Sequence, residues 1–134
     1  MDGRSDDLIA AAGRYLQLCE RRQLAEAGRY LAPGAELVFP GGVHLSSLEA
    51  VAANASGRYR LVRKRPESSV AGRRVSDGRA VVVSTGTLDG ETLRGSPFSG
   101  VRYADIFVFD DGLILEQHVY NDLGELGHIE AGPR

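Results

Sequence analysis

The sequence of 134 residues contains no tryptophan, one methionine and one cysteine, Cys19. A single cysteine excludes an internal disulfide and a cluster of thiolate metal ligands. Cys19 falls on the apolar stripe of a predicted helix, which is typical of a small buried side chain. No apolar run approaches the roughly 18 residues that a membrane helix needs, and residues 1–7 contain no apolar leader. We therefore expect one domain over residues 1–134 in the cytoplasm, with no membrane partner.

Neither sign of charge is in large excess, since 16 basic and 18 acidic residues leave a net charge of −2. Eight basic residues fall between positions 58 and 79, where Lys64 is the only lysine of the chain. Seven acidic residues fall between positions 105 and 130. Only Tyr59 lies in the basic stretch as an aromatic side chain on which a base could stack. We interpret both stretches as solvated faces and expect no nucleic acid partner.

Motifs that bind nucleotides or supply a catalytic nucleophile are absent. The sequence has no Walker loop, no G-x-G-x-x-G and no G-x-S-x-G nucleophile elbow. The three histidines, His44, His118 and His128, do not share the spacing of metal ligands. We therefore expect neither a metal nor a cofactor.

Helical spacing of apolar residues predicts three helices in the first half of the chain. Over residues 8–22 apolar side chains recur at i, i+4, i+7, i+8 and i+11, and a shorter repeat covers residues 24–31. Alternation then predicts a strand at residues 35–39. Ser46 and Glu49 have the spacing of a capping box at the start of the third helix.

The apolar period changes from 3.6 to 2 after the basic stretch, and this change predicts a sheet. Asp77-Gly78 and Asp89-Gly90 are predicted turns, because Asp-Gly readily adopts the positive φ angles of tight turns. The predicted strands are residues 70–76, 79–88, 101–109 and 113–121, with a short strand and a loop over residues 91–100. The element order α-α-β-α-β-β-β-β predicts an α+β fold with a mostly antiparallel sheet.

One strand face places a carboxylate among apolar side chains. Its residues are Val101, Tyr103, Asp105, Phe107 and Phe109. A buried carboxylate either finds hydrogen-bond partners or takes up a proton, so Asp105 indicates a ligand pocket in which its pKa is raised. The alternatives are that this face meets solvent or that backbone amides bind Asp105 as a structural acceptor.

The last strand has two mixed faces. Gln117, Val119 and Asn121 lie on one face, and if that face continues the wall of Asp105, Gln117 and Asn121 orient a ligand. They could equally be satisfied polar residues at a strand edge. The opposite face carries Ile114, His118 and Tyr120, which predicts an apolar patch that a homodimer would cover.

Tyr15 lies on the inward stripe of the first helix. A buried tyrosine hydroxyl needs a hydrogen-bond partner, and an acidic side chain on the facing sheet would provide one. The alternative is a core aromatic residue with no role in a site.

Four segments carry a resemblance to a known family. They are GRYL at residues 13–16, LAPGAELVFP at residues 31–40, DIFVFDDGLILEQ at residues 105–117 and YNDL at residues 120–123. In these segments the chain resembles the SnoaL-like proteins of the nuclear transport factor 2 (NTF2)-like superfamily, which includes ketosteroid isomerase, polyketide cyclases and limonene epoxide hydrolase. The resemblance implies a conical α+β fold in which three helices and a curved sheet enclose a pocket, and it implies dimers.

The resemblance also assigns roles to residues. Tyr15 matches the oxyanion tyrosine of ketosteroid isomerases, and Asp105 matches their protonated aspartic acid. The catalytic base is missing, because Phe39 stands where the isomerases have an aspartate before a proline. Val119 stands where the cyclases and epoxide hydrolases have their aspartate. His44, which follows Pro-Gly-Gly, is the remaining base candidate, or else an exposed loop histidine.

These observations lead to two hypotheses. In the first, the protein binds an apolar, carbonyl-bearing compound such as a polyketide or terpenoid, with Phe39, Tyr103 and Phe107 lining the site. Tyr15 and protonated Asp105 would polarise the carbonyl oxygen for isomerisation or cyclisation. In the second, the protein is a non-catalytic ligand-binding or dimeric assembly module that has lost the general base.

Overall fold

A computed structural model describes residues 3–129 as three helices packed against one six-stranded sheet, which confirms the α+β class. The strand order is β2-β1-β6-β5-β4-β3, and all neighbouring strands are antiparallel except β1 and β6. The elements are α1 (Gly3–Glu20), α2 (Leu24–Gly28), β1 (Leu31–Phe39), β2 (Val43–Leu45), α3 (Leu48–Ser56), β3 (Tyr59–Arg73), β4 (Ala80–Thr92), β5 (Pro97–Asp110) and β6 (Leu113–Asn121).

The helices follow the apolar periodicity, with changes at their ends. The buried stripe of α1 includes Leu8, Ala12, Tyr15 and Leu16, as the spacing predicts. In α3 the cap is Ser47 rather than Ser46, because the Ser47 hydroxyl accepts a hydrogen bond of 3.1 Å from the Ala50 N–H. None of the helices within residues 3–129 is long and apolar enough to cross a membrane.

The first two strands differ from the sequence prediction. The second helix ends at Gly28, and Pro33 and Gly34 lie inside β1 instead of stopping a helix. The register of β1 against β6 shifts between Leu31 and Glu36, and this irregularity accommodates both residues. The sequence analysis did not predict β2, a strand of three residues.

The four arginines that β3 takes from the basic stretch are exposed, as a solvated face requires, but the sequence analysis did not predict a strand before residue 70, and β3 begins at Tyr59. Asp89-Gly90 is not a turn, since Gly90 lies inside β4 and pairs with both Val62 and Phe98. Periodicity failed here because arginines interrupt the alternation of apolar residues along β3.

Two glycines allow β3 to fold over the inner face of β4. A Cβ atom at Gly86 would overlap the carbonyl oxygen of Arg65, and a Cβ atom at Gly90 would overlap that of Leu61. Close backbone approach of this kind is a position where only glycine fits. Lys64 pairs with Leu88, halfway between the two glycines, so the curl of β3 carries Lys64 over the concave side of the sheet.

A bulge in β6 reverses the predicted faces at one end of that strand. The register against β5 shifts between Val108 and Phe109, and Ile114 is completely buried in the core beside α1. The prediction that Ile114 belongs to the outer row was therefore wrong. His118 is partly exposed and Tyr120 is exposed, and both line a groove on the outer face of the sheet.

We expect Gly86→Ala to lower the free energy of unfolding by about 3 kcal/mol, because the added methyl group has to push β3 away from β4. Urea denaturation followed by circular dichroism measures this loss. Gly72→Ala is the matched control, since nothing lies within 4 Å of a Cβ atom there. Its effect should stay within about 0.5 kcal/mol. Equal stability of the two variants would show that β3 does not press on β4.

Candidate functional site

A buried ion pair lies on the concave side of the sheet. Lys64 Nζ donates a hydrogen bond of 2.5 Å to Asp105 Oδ2, and the side chains of Lys64 and Asp105 are 21% and 0% exposed. Asp105 projects from the inner face of β5, where its cross-strand neighbours are Ser84 and Val119. The carboxylate is therefore enclosed, and only the ammonium reaches the cavities next to it.

The surroundings of Lys64 keep it charged. Burial by itself would lower its pKa, but the charge of the Asp105 carboxylate and their hydrogen bond outweigh burial and raise the pKa. The Tyr103 ring adds a cation–π contact, with its centroid 5.1 Å from Lys64 Nζ. The structure therefore pairs Asp105 with a cation, a contact that the expectation of a protonated Asp105 did not include. The sequence analysis missed this because it placed Lys64 in solvent.

Two polar atoms beside the ion pair lack a partner. Within residues 3–129, neither Asp105 Oδ1 nor the Tyr103 hydroxyl forms a hydrogen bond, although both atoms are buried. A buried polar group without a partner costs about 1 to 3 kcal/mol. Both side chains project from the same face of β5, so the concave side contains two buried polar atoms, neither of which belongs to a residue that lines the cavities at Lys64.

Tyr15 bonds to a different residue from the one predicted. Its hydroxyl donates a hydrogen bond of 2.8 Å to Gln117 Oε1, and both side chains are buried. Burial, with smaller contributions from Cys19 and the Asp105 charge, raises the pKa of Tyr15 well above its ordinary value. The ring packs edge to face on Phe107, with the centroids 6.0 Å apart. Tyr15 and Asp105 therefore have separate partners and do not share one.

Two cavities meet at Lys64, and Leu16, Glu20 and Lys64 line both of them. The larger cavity, of about 450 Å³, lies between α1 and the inner sides of β3 and β4. The smaller cavity, of about 280 Å³, includes Phe39 and Gln117 in its wall. The larger volume falls within the usual range for small-molecule sites.

Glu20 holds the end of α1 against β3. Its Oε1 accepts a hydrogen bond of 2.7 Å from the backbone N–H of Lys64. This bond fixes a carboxylate beside the backbone of Lys64, at the place where the cavities meet. Each cavity therefore has a proton acceptor and a cation in its wall. The sequence signals were weak: Lys64 is the single lysine among arginines, and Glu20 lies near the predicted end of a helix.

The other predicted site residues are scattered. Phe107 is core, and Val119 is buried opposite Asp105. Asn121 Oδ1 accepts a hydrogen bond of 3.2 Å from the Leu123 N–H, so it acts in a local turn. His44 is exposed on β2 and lines neither of the cavities that meet at Lys64. Within residues 3–129, no three His, Cys, Asp or Glu side chains form a group that could hold a metal ion.

Comparisons with known proteins agree with this fold. A family model of the SnoaL-like domain matches residues 12–117, whereas the search of curated protein sequences found no match. An NTF2-like protein from Burkholderia pseudomallei is 15% identical, with a TM-score of 0.75 over 94% of this chain and 98% of the other. TerC, co-crystallised with polyporic acid, is 16% identical, with a TM-score of 0.74 over 92% and 97% of the chains.

A candidate SnoaL-like polyketide cyclase from Jannaschia sp. CCS1 is 19% identical, with a TM-score of 0.70 over 99% of this chain and 98% of the other. At these identities the likeness shows a shared fold. The family model confirms the predicted resemblance to SnoaL-like proteins, and the NTF2-like neighbour shares the fold.

The two ends of the ion pair should differ in their effect on stability. Lys64→Gln strands the enclosed Asp105 carboxylate, and we expect a loss of about 3 kcal/mol in the free energy of unfolding. Asp105→Asn keeps an acceptor for an ammonium that reaches water, so its loss should be about 1 kcal/mol. The double variant should lose about 2 kcal/mol, which leaves a coupling energy of about 2 kcal/mol in a urea-denaturation cycle.

The pH dependence provides a control for this cycle. Because the pair raises the pKa of Lys64, its stabilisation is complete below the pKa of an unfolded lysine and is lost as pH rises through the higher folded pKa. The stability gap between the wild type and the double variant should therefore hold through neutral pH and narrow only above about pH 10.4. Strictly additive single effects, or a gap that closes near neutral pH, would contradict a buried ion pair.

Proposed function

Since the chain belongs to the SnoaL-like domain family, we propose that it binds a small, largely apolar ketone beside Lys64 and promotes enolisation of that ketone as a step in cyclisation or isomerisation. The observation that carries this proposal is the meeting of two cavities at a charged lysine. Its solved structural neighbours, which include a candidate polyketide cyclase and a protein that was co-crystallised with polyporic acid, support the ligand class.

Lys64 faces the carbonyl oxygen of the ligand in this proposal. An ammonium held in place by Asp105 and Tyr103 needs no reorganisation when negative charge develops on that oxygen. Asp105 acts as a positioning residue, since Lys64 lies between its carboxylate and the cavities. Tyr15 holds Gln117 at the wall of the smaller cavity and also acts through position.

Glu20 accepts the proton. The carboxylate takes a proton from the carbon next to the carbonyl, the electrons of that C–H bond form a carbon–carbon double bond, and the carbonyl oxygen becomes an enolate beside Lys64. The proton returns to another carbon in an isomerisation. In a cyclisation the enolate carbon instead attacks a second carbonyl carbon, and the alkoxide that forms there takes the proton from Glu20. This assignment replaces the base that is missing at Phe39 and Val119.

We expect the wild-type protein to accelerate exchange of the α-protons of 2-tetralone for deuterium in D₂O, which proton NMR measures directly. Glu20→Gln should lower this exchange at least about tenfold, the lower end of what a general base contributes. The variant should still bind 2-naphthol, which mimics the enol. Glu26→Gln is the matched control, because it removes an exposed acid from α2.

Binding and turnover separate the two functional hypotheses. The double variant Lys64→Gln/Asp105→Asn should bind 2-naphthol at least about fivefold more weakly in calorimetry, as expected for the loss of one hydrogen bond to a charged donor. Tight 2-naphthol binding without any exchange of 2-tetralone would favour the non-catalytic ligand-binding module. If Glu20→Gln still exchanges the α-protons of 2-tetralone at the wild-type rate, Glu20 is not the general base.

We also propose that a second copy of the chain covers the outer face of the sheet. Four side chains in register across β3, β4, β5 and β6 form the centre of this face: Val70, Val83, Ile106 and His118. They line a groove of about 570 Å³, and an exposed apolar area of this kind is typical of an interface. At its rim Glu116 bonds to both Arg74 and His118, so the face carries both signs of charge and can pair with its own copy.

Light scattering at micromolar concentration should give a mass of twice 14.4 kDa for the wild type. Ile106→Glu introduces a charge at the centre of the groove and should shift the mass toward the monomer. Val75→Glu, in the exposed turn before β4, is the matched control and should leave the mass unchanged. A wild-type mass near 14.4 kDa would contradict the proposal.

A further inference from the structure

One face of α1 brings cationic side chains to the larger cavity. Arg14, Gln17 and Arg21 lie at i, i+3 and i+7, and all three side chains line the cavity between α1 and β3. Seven residues of α-helix span about 10 Å, so the two guanidinium groups extend along the mouth of the cavity. The inner wall behind them includes Ala12, Leu16 and Pro66.

The two guanidinium groups are not used by the fold. Within residues 3–129, neither Arg14 nor Arg21 forms an ion pair, whereas Arg65, Arg74 and Arg102 each pair with an aspartate. Arginines that lack an internal partner at the mouth of a cavity raise the local concentration of anions.

The acidic groups near this cavity are already engaged. Glu20 is the one carboxylate among the lining residues, and its Oε1 accepts the Lys64 N–H. Asp105 lies behind Lys64 and balances its charge. A hydrogen bond from a backbone N–H leaves the charge of Glu20 in place, so the two guanidinium groups exceed the single carboxylate of the lining by one positive charge, while the deep end carries Lys64 beside the enclosed Asp105 carboxyl.

We propose that Arg14 and Arg21 form a carboxylate-binding subsite, so that the ligand of the larger cavity is an apolar keto acid or phenolic acid. Its acid group lies at the mouth, its apolar body contacts the inner wall, and its ketone or phenol oxygen reaches Lys64. Arginine suits this role because its planar guanidinium forms paired hydrogen bonds with a carboxylate. The placement of the oxygen at Lys64 rests on the proposed function, but the acid subsite does not.

Two probes that share a naphthol ring system and differ only in a carboxyl group test the subsite. At neutral pH 2-naphthol is uncharged, and 6-hydroxy-2-naphthoic acid carries one negative charge. Calorimetry at low ionic strength should show that the wild type binds the acid at least about tenfold more tightly than 2-naphthol. Arg14→Gln/Arg21→Gln should abolish this preference and leave the affinity for 2-naphthol unchanged. Arg29→Gln/Arg63→Gln, which removes two exposed arginines elsewhere, is the charge-matched control and should keep the preference.

The outcomes separate the subsite from the proposed function. The preference should shrink as salt is raised, because mobile ions screen the guanidinium groups at the exposed mouth. Equal affinity of the two probes, or an equal loss of preference in the control variant, would overturn the subsite and leave the proposed function standing. A preference for the acid that survives in Lys64→Gln/Asp105→Asn, together with unchanged 2-naphthol binding, would support the subsite and contradict the role of Lys64. Failure of both probes to bind would overturn both proposals.

Discussion

The contact between Lys64 and Asp105 is the constraint on which the site depends. An enclosed carboxyl group without a polar partner is costly, so the fold has to deliver a partner, and that partner is Lys64. That requirement explains why β3 folds over β4 at Gly86 and Gly90. The curvature of the sheet therefore brings a charged side chain from an edge strand to the middle of the concave face.

The same contact organises the surrounding cavities. Lys64 is the boundary between the larger and the smaller cavity, and its backbone N–H is also the anchor for Glu20. One residue therefore sets the position of a cation through its side chain and that of a carboxylate through its main chain. A change in the path of β3 would displace the Lys64 ammonium and the Glu20 carboxylate together. The positions of the two charged groups that the proposed chemistry needs therefore depend on one strand.

The sequence predicted the parts of the molecule that short-range patterns determine. The odd face of β5 is buried as its alternation predicts, and α1 buries the stripe that contains Tyr15. The site was predicted in part, because Asp105 was identified but its partner Lys64 was not. Forty-one positions separate the two residues, and their contact depends on close backbone approach at two glycines. The spacing of apolar residues along the sequence cannot predict a contact of this kind. The face of Ile114 was missed for a similar reason, since the bulge in β6 shifts the alternation.

The arginines that accompany Lys64 along β3 have a consequence for how copies of the chain can meet. β3 is the open edge of the sheet over fifteen residues, and the opposite edge, β2, is only three residues long. An exposed edge invites strand addition and fibrillar aggregation, and a row of like charges along it opposes both. Arg60, Arg63, Arg65 and Arg73 therefore protect the unpaired backbone of β3 from another copy of itself. In β3 the side chain of Lys64 faces the concave side of the sheet. The neighbouring arginines prevent the exposed edge from pairing with a strand of another copy.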